Sequence, residues 1–269
     1  MENVLKMVLY LHDVGVEDNT LVGANYFNRD PLGQIDEIIC QLKKRGIDVV
    51  LSADDGYKSI FLILPILEKY KVRLICFITA GFINGEIYPY EVELSTLLQQ
   101  RDKIKLNSKI YSVYDRISKE RFFLDIHKGL KLLNYDKRLQ FISKLVLEND
   151  FSVEQLRSNL FLTSDELLDL SRHSLVEIGD HSFSHLCLTS QKGHIVLNEL
   201  YKSKRYLTEI VGKRITKLSY PYGANNPYVR TIARFCGYES AFGTHTSGTY
   251  SGFNLPRYSL QEAREFLKS

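Results

Sequence analysis

An α/β fold of parallel βα units is predicted by three observations on this sequence. Its length, 269 residues, is one to two domains at roughly 150 residues each, and single α/β barrels reach that size. Its composition is 44% hydrophobic, 25% charged and 12% aromatic. That excludes a disordered, collagen-like or disulfide-stapled chain and supplies a large core. Short apolar runs alternate with segments of helical period, in the order strand, helix, strand, helix, strand before residue 80, the order of parallel βαβ units.

The elements follow in turn. Val4–Leu11 is a short apolar run and predicts a buried strand ending at His12-Asp13. Residues 15–28 form a polar loop. Gln34–Arg45 carries Ile35, Ile38, Ile39 and Leu42 at helical spacing, with Gly46 as its stop. Asp48–Ser52 predicts a second strand running into Ala53-Asp54-Asp55-Gly56. Ile60–Tyr70 has helical period with Pro65 as a kink point, and Arg73–Thr79 predicts a third strand. Residues 84–160 break the rhythm: Leu94–Gln100, Ser118–Leu133 and Lys137–Glu148 have helical period and strand signals are few. This stretch is expected to be a mostly helical insertion within one domain spanning 1–269, either a cap over the site or a satellite that adds stability.

The βα rhythm then resumes. Thr163 or Ser164 caps a helix over Asp165–Arg172, and Val176–Gly179 is a strand leading into Asp180-His181. His194–Val211 is an amphipathic helix stopped by Gly212. Thr216–Tyr220 is a strand ending at Pro221-Tyr222-Gly223. Asn226-Pro227 opens a helix through Phe235, Glu239–Phe242 is a last strand, and Ser259–Lys268 is a terminal helix.

Charge and cysteine usage narrow the function classes. Lys plus Arg is 35 and Asp plus Glu 32, a net charge of +3, too near balance to predict a nucleic-acid partner. Cys40, Cys76, Cys187 and Cys236 form no C-x-x-C pair, which argues against a zinc knuckle and fits a reduced compartment. No apolar run approaches 18 residues, so no integral membrane segment is expected. The N-terminal stretch, interrupted by Lys6 and followed by no small-residue cleavage site, lacks the signal-peptide pattern, which predicts a cytoplasmic location.

Four clusters stand just after predicted strands: His12-Asp13, Asp54-Asp55-Gly56, His181 with His185, and Tyr220-Pro221-Tyr222-Gly223. In a parallel βα barrel such positions share the face where active sites are built. Asp-Asp-Gly alone is also the composition of a plain turn. Two adjacent carboxylates at a strand end repel, however, unless a positive charge joins them, and a divalent metal supplies one. His181 and His185, spaced i, i+4, are expected on one side of a helical turn, within reach of one ion. One Asp with two His makes three protein ligands and leaves positions open for water and substrate, the catalytic pattern rather than the structural one. The Tyr-Pro-Tyr-Gly turn is rigid and able to present a backbone N–H to an oxyanion.

The order of these motifs resembles the polysaccharide deacetylase family, carbohydrate esterase family four. The residues that carry it are Leu51-Ser52-Ala53-Asp54-Asp55-Gly56, Gly179-Asp180-His181-Ser182-Phe183-Ser184-His185 and Ser219-Tyr220-Pro221-Tyr222-Gly223. The Val4–Asp13 strand and Leu255-Pro256-Arg257 resemble its poly-N-acetylglucosamine deacetylase branch. The resemblance covers most of the chain outside the insertion. It implies a distorted (β/α) barrel and a hydrolase of carbon–nitrogen bonds that takes the N-acetyl group from an amino sugar, in a glycan or glycan precursor, and releases acetate. By the same resemblance Asp55, His181 and His185 hold the metal (zinc ahead of cobalt, nickel or iron), Asp54 is the base, the Tyr222 N–H meets the oxyanion and His12 is the acid. Arg257 is expected to orient Asp54 through a charge-assisted hydrogen bond. Ala53 stands where the family carries Phe, and the family's late Leu-x-His is absent, leaving His245 as the alternative acid. Tyr57, Tyr220 and Tyr250 are candidate sugar contacts. A cytoplasmic member would act on a lipid- or nucleotide-linked precursor of surface polysaccharide. Two rivals are a metal hydrolase of non-sugar amides and a non-catalytic carbohydrate-binding relative.

Overall fold

The computed structural model describes residues 6–16, 18, 21–24, 28–151, 160–244 and 249–269; Val4, Leu5 and His245 lie outside them. Along the chain the strands are β1 (Lys6–Leu11), β2 (Asp13–Gly15), β3 (Arg29–Pro31), β4 (Asp48–Ala53), β5 (Arg73–Ile78), β6 (Lys103–Leu106), β7 (Lys109–Ser112), β8 (Val176–Asp180), β9 (Lys217–Ser219) and β10 (Ser240–Phe242). Six of them form one sheet in the order β1-β4-β5-β8-β9-β10, and every pair in it is parallel. The predicted α/β class is therefore the observed one. The sheet curls until its edges, β1 and β10, are joined by the segment Leu255–Tyr258. Leu255 N–H donates to Ala241 O and Gly243 N–H to Leu255 O on one side. Tyr258 N–H donates to Val8 O and Tyr10 N–H to Tyr258 O on the other, all at 2.8–2.9 Å. This strap completes a distorted (β/α) barrel.

The helices are α1 (Leu32–Lys44), α2 (Leu64–Tyr70), α3 (Ala80–Ile83), α4 (Tyr90–Gln100), α5 (Arg116–Leu130), α6 (Tyr135–Glu148), α7 (Ser164–Leu170), α8 (Gly193–Val211), α9 (Pro227–Phe235) and α10 (Leu260–Lys268). Their ends follow local chemistry. Thr163 and Ser259 each form a capping box, with Glu166 and Glu262, and Asn226 accepts the Val229 N–H. Gly212 closes α8 in the left-handed conformation. One continuous core packs the strands against α1, α2, α7, α8, α9 and α10, with Leu9, Leu51, Leu74, Leu167, Leu200 and Leu218 at 0–1% exposure.

Three local readings are corrected. The loop over residues 15–28 is flanked by a pair of three-residue parallel strands, β2 and β3, too short to carry a period. The helix expected over Ile60–Tyr70 divides into a 3-10 turn, Lys58–Ile63, and α2. Pro65 stands in the first turn of α2, where its missing N–H costs no hydrogen bond. Between β5 and β8 lies an antiparallel hairpin, β6–β7, besides helices. Asn107 and Ser108, at φ 51° and 63°, supply the two left-handed residues its turn needs. A second apolar cluster gathers here, with Leu94, Leu97, Leu98, Ile104, Phe122, Phe123 and Leu145, and it also takes in Val22 and Ala24 from the loop after β2. Among the described residues no helix is long and apolar enough to cross a membrane.

Candidate active site

The carboxyl ends of the parallel strands converge on one cavity of about 300 Å³. His12, Asp54, Asp55, His181, His185, Tyr222 and Arg257 all line it, so residues drawn from five separate stretches of sequence meet at one place. The topology causes this: in a parallel barrel each strand delivers its following loop to the same end.

Asp54 leaves β4 with both oxygens held. The Arg257 guanidinium, 1% exposed, donates to Asp54 Oδ1 at 2.6 Å and Oδ2 at 2.8 Å, to Ser52 Oγ at 3.2 Å and to Gly243 O at 3.1 Å. Arg257 is the middle of the closing strap, so barrel closure and the placing of this cation are one event. Burial opposes charge on Asp54, but Arg257 outweighs it and holds the carboxyl well below the usual carboxylate range. A planar fork bonded to both oxygens also fixes the rotamer.

Asp55 follows with a left-handed backbone (φ 72°), and both carboxylates face the His181 Nε2, Asp54 Oδ2 at 3.7 Å and Asp55 Oδ1 at 3.8 Å. Burial, with Asp54 and Glu91 nearby, pushes the Asp55 pKa well above the usual value; the Thr79 hydroxyl donates to its Oδ1 at 3.4 Å. Such a group gains strongly from a cation.

His181 and His185 present Nε2 atoms 3.8 Å and 3.5 Å from Asp55 Oδ1. The donor atoms of these three residues lie within 4.8 Å of one another, the only such trio among the described residues. His181 Nδ1 lies 2.8 Å from the Ser219 carbonyl. A carbonyl only accepts, so Nδ1 carries the proton and Nε2 offers its lone pair to the cavity. One carboxylate and two imidazoles with an oriented tautomer fit a divalent metal of the zinc class. Burial lowers the pKa of both imidazoles, that of His185 strongly, which favours the neutral ligand form.

The helical turn expected at 181–185 is not what brings the imidazoles together. These residues follow β8 as an irregular loop with Ser182 and His185 left-handed, at φ 66° and 49°. Buried partners satisfy its backbone. Asp180 Oδ1 accepts the Ser182 N–H at 2.8 Å and the Ser203 hydroxyl at 2.7 Å, and its Oδ2 accepts the Tyr238 hydroxyl at 2.6 Å. Asp180 therefore points away from the imidazoles and braces the loop. Glu199 accepts the Ser184 N–H at 2.7 Å. Gly81 donates to Phe183 O at 2.9 Å; a Cβ on Gly81 would lie 2.5 Å from that oxygen.

The remaining residues complete the cavity. His12 follows β1, its N–H donating to Asp30 Oδ2 at 2.8 Å. Desolvation pushes its imidazole down to about 4, against the opposing pull of Asp54. Tyr222 is left-handed (φ 59°) within a 3-10 turn whose own bonds run from the Gly223 and Ala224 N–H groups, leaving the Tyr222 N–H outside that pattern. Of the three tyrosines singled out, Tyr57 lines the cavity, Tyr220 is buried with its hydroxyl on Phe253 O at 3.1 Å, and Tyr250 is 47% exposed. The motif reading missed Glu91, His127 and Arg138. Glu91 accepts the Tyr222 hydroxyl at 2.6 Å, His127 Nδ1 meets the Tyr90 hydroxyl at 3.0 Å, and Arg138 donates to His185 O at 2.9 Å. No short-range motif marks them; a charged residue at a helix position of apolar spacing was the available signal, at Arg138.

A parallel barrel with paired carboxylates and two imidazoles at its strand ends is the architecture of a hydrolase. The polysaccharide deacetylase family model matches residues 41–241, most of the chain, and the chain belongs to that family, whose members remove N-acetyl groups from carbohydrates. Among solved structures it is similar to the Streptococcus pyogenes deacetylase PplD in complex with acetate, at 14% identity and TM-score 0.59, over 98% of this chain and 97% of that one. It is also similar to IcaB from Ammonifex degensii (12%, TM-score 0.57, 99% and 98%) and to a de-N-acetylase from Aggregatibacter actinomycetemcomitans (14%, TM-score 0.55, 94% and 93%). At these identities the likeness is one of fold. No curated protein matches the sequence.

Proposed function

We propose that this chain is a metal-dependent deacetylase that hydrolyses the N-acetyl group of an amino sugar in a glycan or glycan precursor and releases acetate. We propose too that it acts as one catalytic domain, with residues 84–160 inserted. The observation that carries the reading is the trio of buried Asp55, buried His181 and half-buried His185 beside an Asp54 already paired with Arg257.

Asp55, His181 and His185 would hold the metal. When bound, the ion supplies Lewis-acid chemistry to the acetamido carbonyl and to water. Asp54, kept ionised and oriented by Arg257, takes the proton of the attacking water. The Tyr222 N–H donates to the oxyanion that develops on the former carbonyl. His12 gives a proton to the leaving nitrogen. The proton that Asp54 takes from the water replaces the one His12 gives, so both side chains end as they began. The bond broken is amide C–N, the bond formed is C–O to water oxygen, and the products are acetate and the free amine.

The test is acetate release from acetylated chito-oligosaccharides, carrier-linked N-acetyl sugars and small non-sugar amides, with chelator and with added zinc. Release from the sugars that chelator removes and zinc restores is expected. Release from the small amides alone, or sugar binding without acetate, would replace the proposal with one of its rivals. The roles divide by mutation. Asp55→Ala and His181→Ala abolish zinc retention and turnover, whereas Asp54→Asn retains zinc and loses about 10²–10⁴-fold in turnover, the usual worth of a general base. Zinc content and acetate release on the same preparations check this, and an empty Asp54→Asn site refutes the division.

A further inference from the structure

Two residues on one wall of the cavity, His185 and Tyr222, have left-handed backbones, at φ 49° and 59°. That conformation is uncommon for residues with bulky side chains and persists where surroundings enforce it. Their rings pack with centroids 4.6 Å apart. Each is held from the segment between β5 and β8 by a different buried charged group. Arg138 of α6, 4% exposed, spreads its guanidinium over three carbonyls: Leu130 at 3.0 Å, Lys131 at 2.7 Å and His185 at 2.9 Å. The first two cap the end of α5; the third reaches into the site. Glu91, in the first turn of α4 and 8% exposed, accepts the Tyr222 hydroxyl at 2.6 Å. A carboxylate in a first helical turn is stabilised by the exposed N–H groups there, which keeps a strong acceptor in place.

We propose that Arg138 and Glu91 are positioning residues through which this segment completes the active site. Arg138 fixes the His185 backbone and hence its imidazole. Glu91, acting through the Tyr222 hydroxyl, fixes the Tyr222 backbone and hence the aim of its N–H. The proposal rests on the roles given above to His185 and Tyr222, and it assigns the segment between β5 and β8 a part in the chemistry rather than in stability alone. It also predicts that the two holds fail differently, because one acts on a metal ligand and the other on an oxyanion donor.

The test uses the full chain, zinc titration by calorimetry, acetate release at limiting and saturating zinc, and crystal structures of the variants. Arg138→Met is expected to weaken zinc binding about 10- to 100-fold, the effect of losing a group that orients a ligand. Its turnover at limiting zinc falls in step with metal occupancy and rises again with added zinc. Arg138→Lys, which keeps the charge but reaches fewer carbonyls, falls between, and it serves if the Met variant does not fold. Glu91→Ala changes zinc affinity no more than Glu91→Gln does, the part owed to the lost charge near Asp55, and lowers kcat about 10- to 100-fold with KM unchanged, as a misdirected oxyanion donor does. Glu91→Gln, which retains an acceptor, restores most of that loss. Tyr222→Phe reproduces the kcat loss of Glu91→Ala, and the double variant is no worse than either single one. Parent-like zinc affinity in Arg138→Met, or parent-like kcat in Glu91→Ala and Tyr222→Phe, overturns the proposal. A rise in KM alone in Glu91→Ala would mean direct contact with the sugar and overturns it as well. If the parent chain neither binds zinc nor releases acetate, the functional reading fails instead. The crystal structures then decide this inference alone: residues 185 and 222 remaining left-handed in the variants overturn it.

Discussion

The Asp54–Arg257 pair concentrates the chemistry of the site in two side chains. A carboxylate at 4% exposure is held charged chiefly by a guanidinium at 1% exposure that meets both of its oxygens. Its depressed pKa puts the ionised form well below neutrality, so the stabilisation is complete above the unfolded-state value and is lost as pH falls through the folded one. Replacing Arg257 by Met removes the lowering and leaves the burial. Turnover is expected to fall about tenfold or more, because the base loses the fork that orients it. Stability at neutral pH should fall by about 3–5 kcal/mol, the cost of an orphaned buried charge. Acetate release and a denaturant titration measure the two; parent-like turnover in Arg257→Met would remove the pair from the chemistry. The four residues of Asp54-Asp55 and His181/His185 were legible in sequence because each pair is local. Arg257 lies 203 residues from Asp54, and its bond to that carboxylate follows from barrel closure, which no local pattern carries.

At the level of elements, the site depends on loops whose shape is set by what they pack against. The stretch 181–185 would be helical by spacing alone, yet Asp180, Glu199, Arg138 and Gly81 draw its backbone groups into other bonds. The helices and long strands were readable because period, caps and stops repeat over many residues. The three-residue strands β2 and β3 offer no period, and the expected helix at 181–185 yields to tertiary hydrogen bonds. Gly81→Ala tests this dependence. The added Cβ would sit 2.5 Å from Phe183 O, so either α3 or the loop must move, carrying the imidazoles off Asp55. Zinc affinity is expected to fall about tenfold or more, as when a ligand loses its orientation. Isothermal titration of zinc measures it, and an unchanged affinity would mean that the loop is set from elsewhere.

For the molecule as a whole, the proposed metal site would join the loops that follow β4 and β8, two strands separated by β5 in the sheet. Asp55 follows β4, the two imidazoles follow β8, and the strap that seats Arg257 joins the sheet's two edges. An ion bound to the folded trio alone therefore stabilises the entire barrel. Zinc at 100 times its Kd adds about 2.7 kcal/mol. At roughly 2–4 °C per kcal/mol for chains approaching this size, Tm rises by about 5–10 °C. Thermal melts with zinc and with chelator check this. Asp55→Ala is expected to show no zinc-dependent rise, and a rise of equal size there would place the ion at another site. By itself the sequence determined the α/β class, the helices with their caps, and the carboxylates and imidazoles that stand together in short motifs, because those properties reside in neighbours along the chain. The Arg257–Asp54 pairing was expected from the family resemblance and the structure gives it its geometry; only the tertiary structure decided that Glu91 and Arg138 reach Tyr222 and His185, and that left-handed turns rather than a helix converge the imidazoles. Those contacts join residues far apart in the chain, and they exist only once the sheet has curled and its ends have been strapped together.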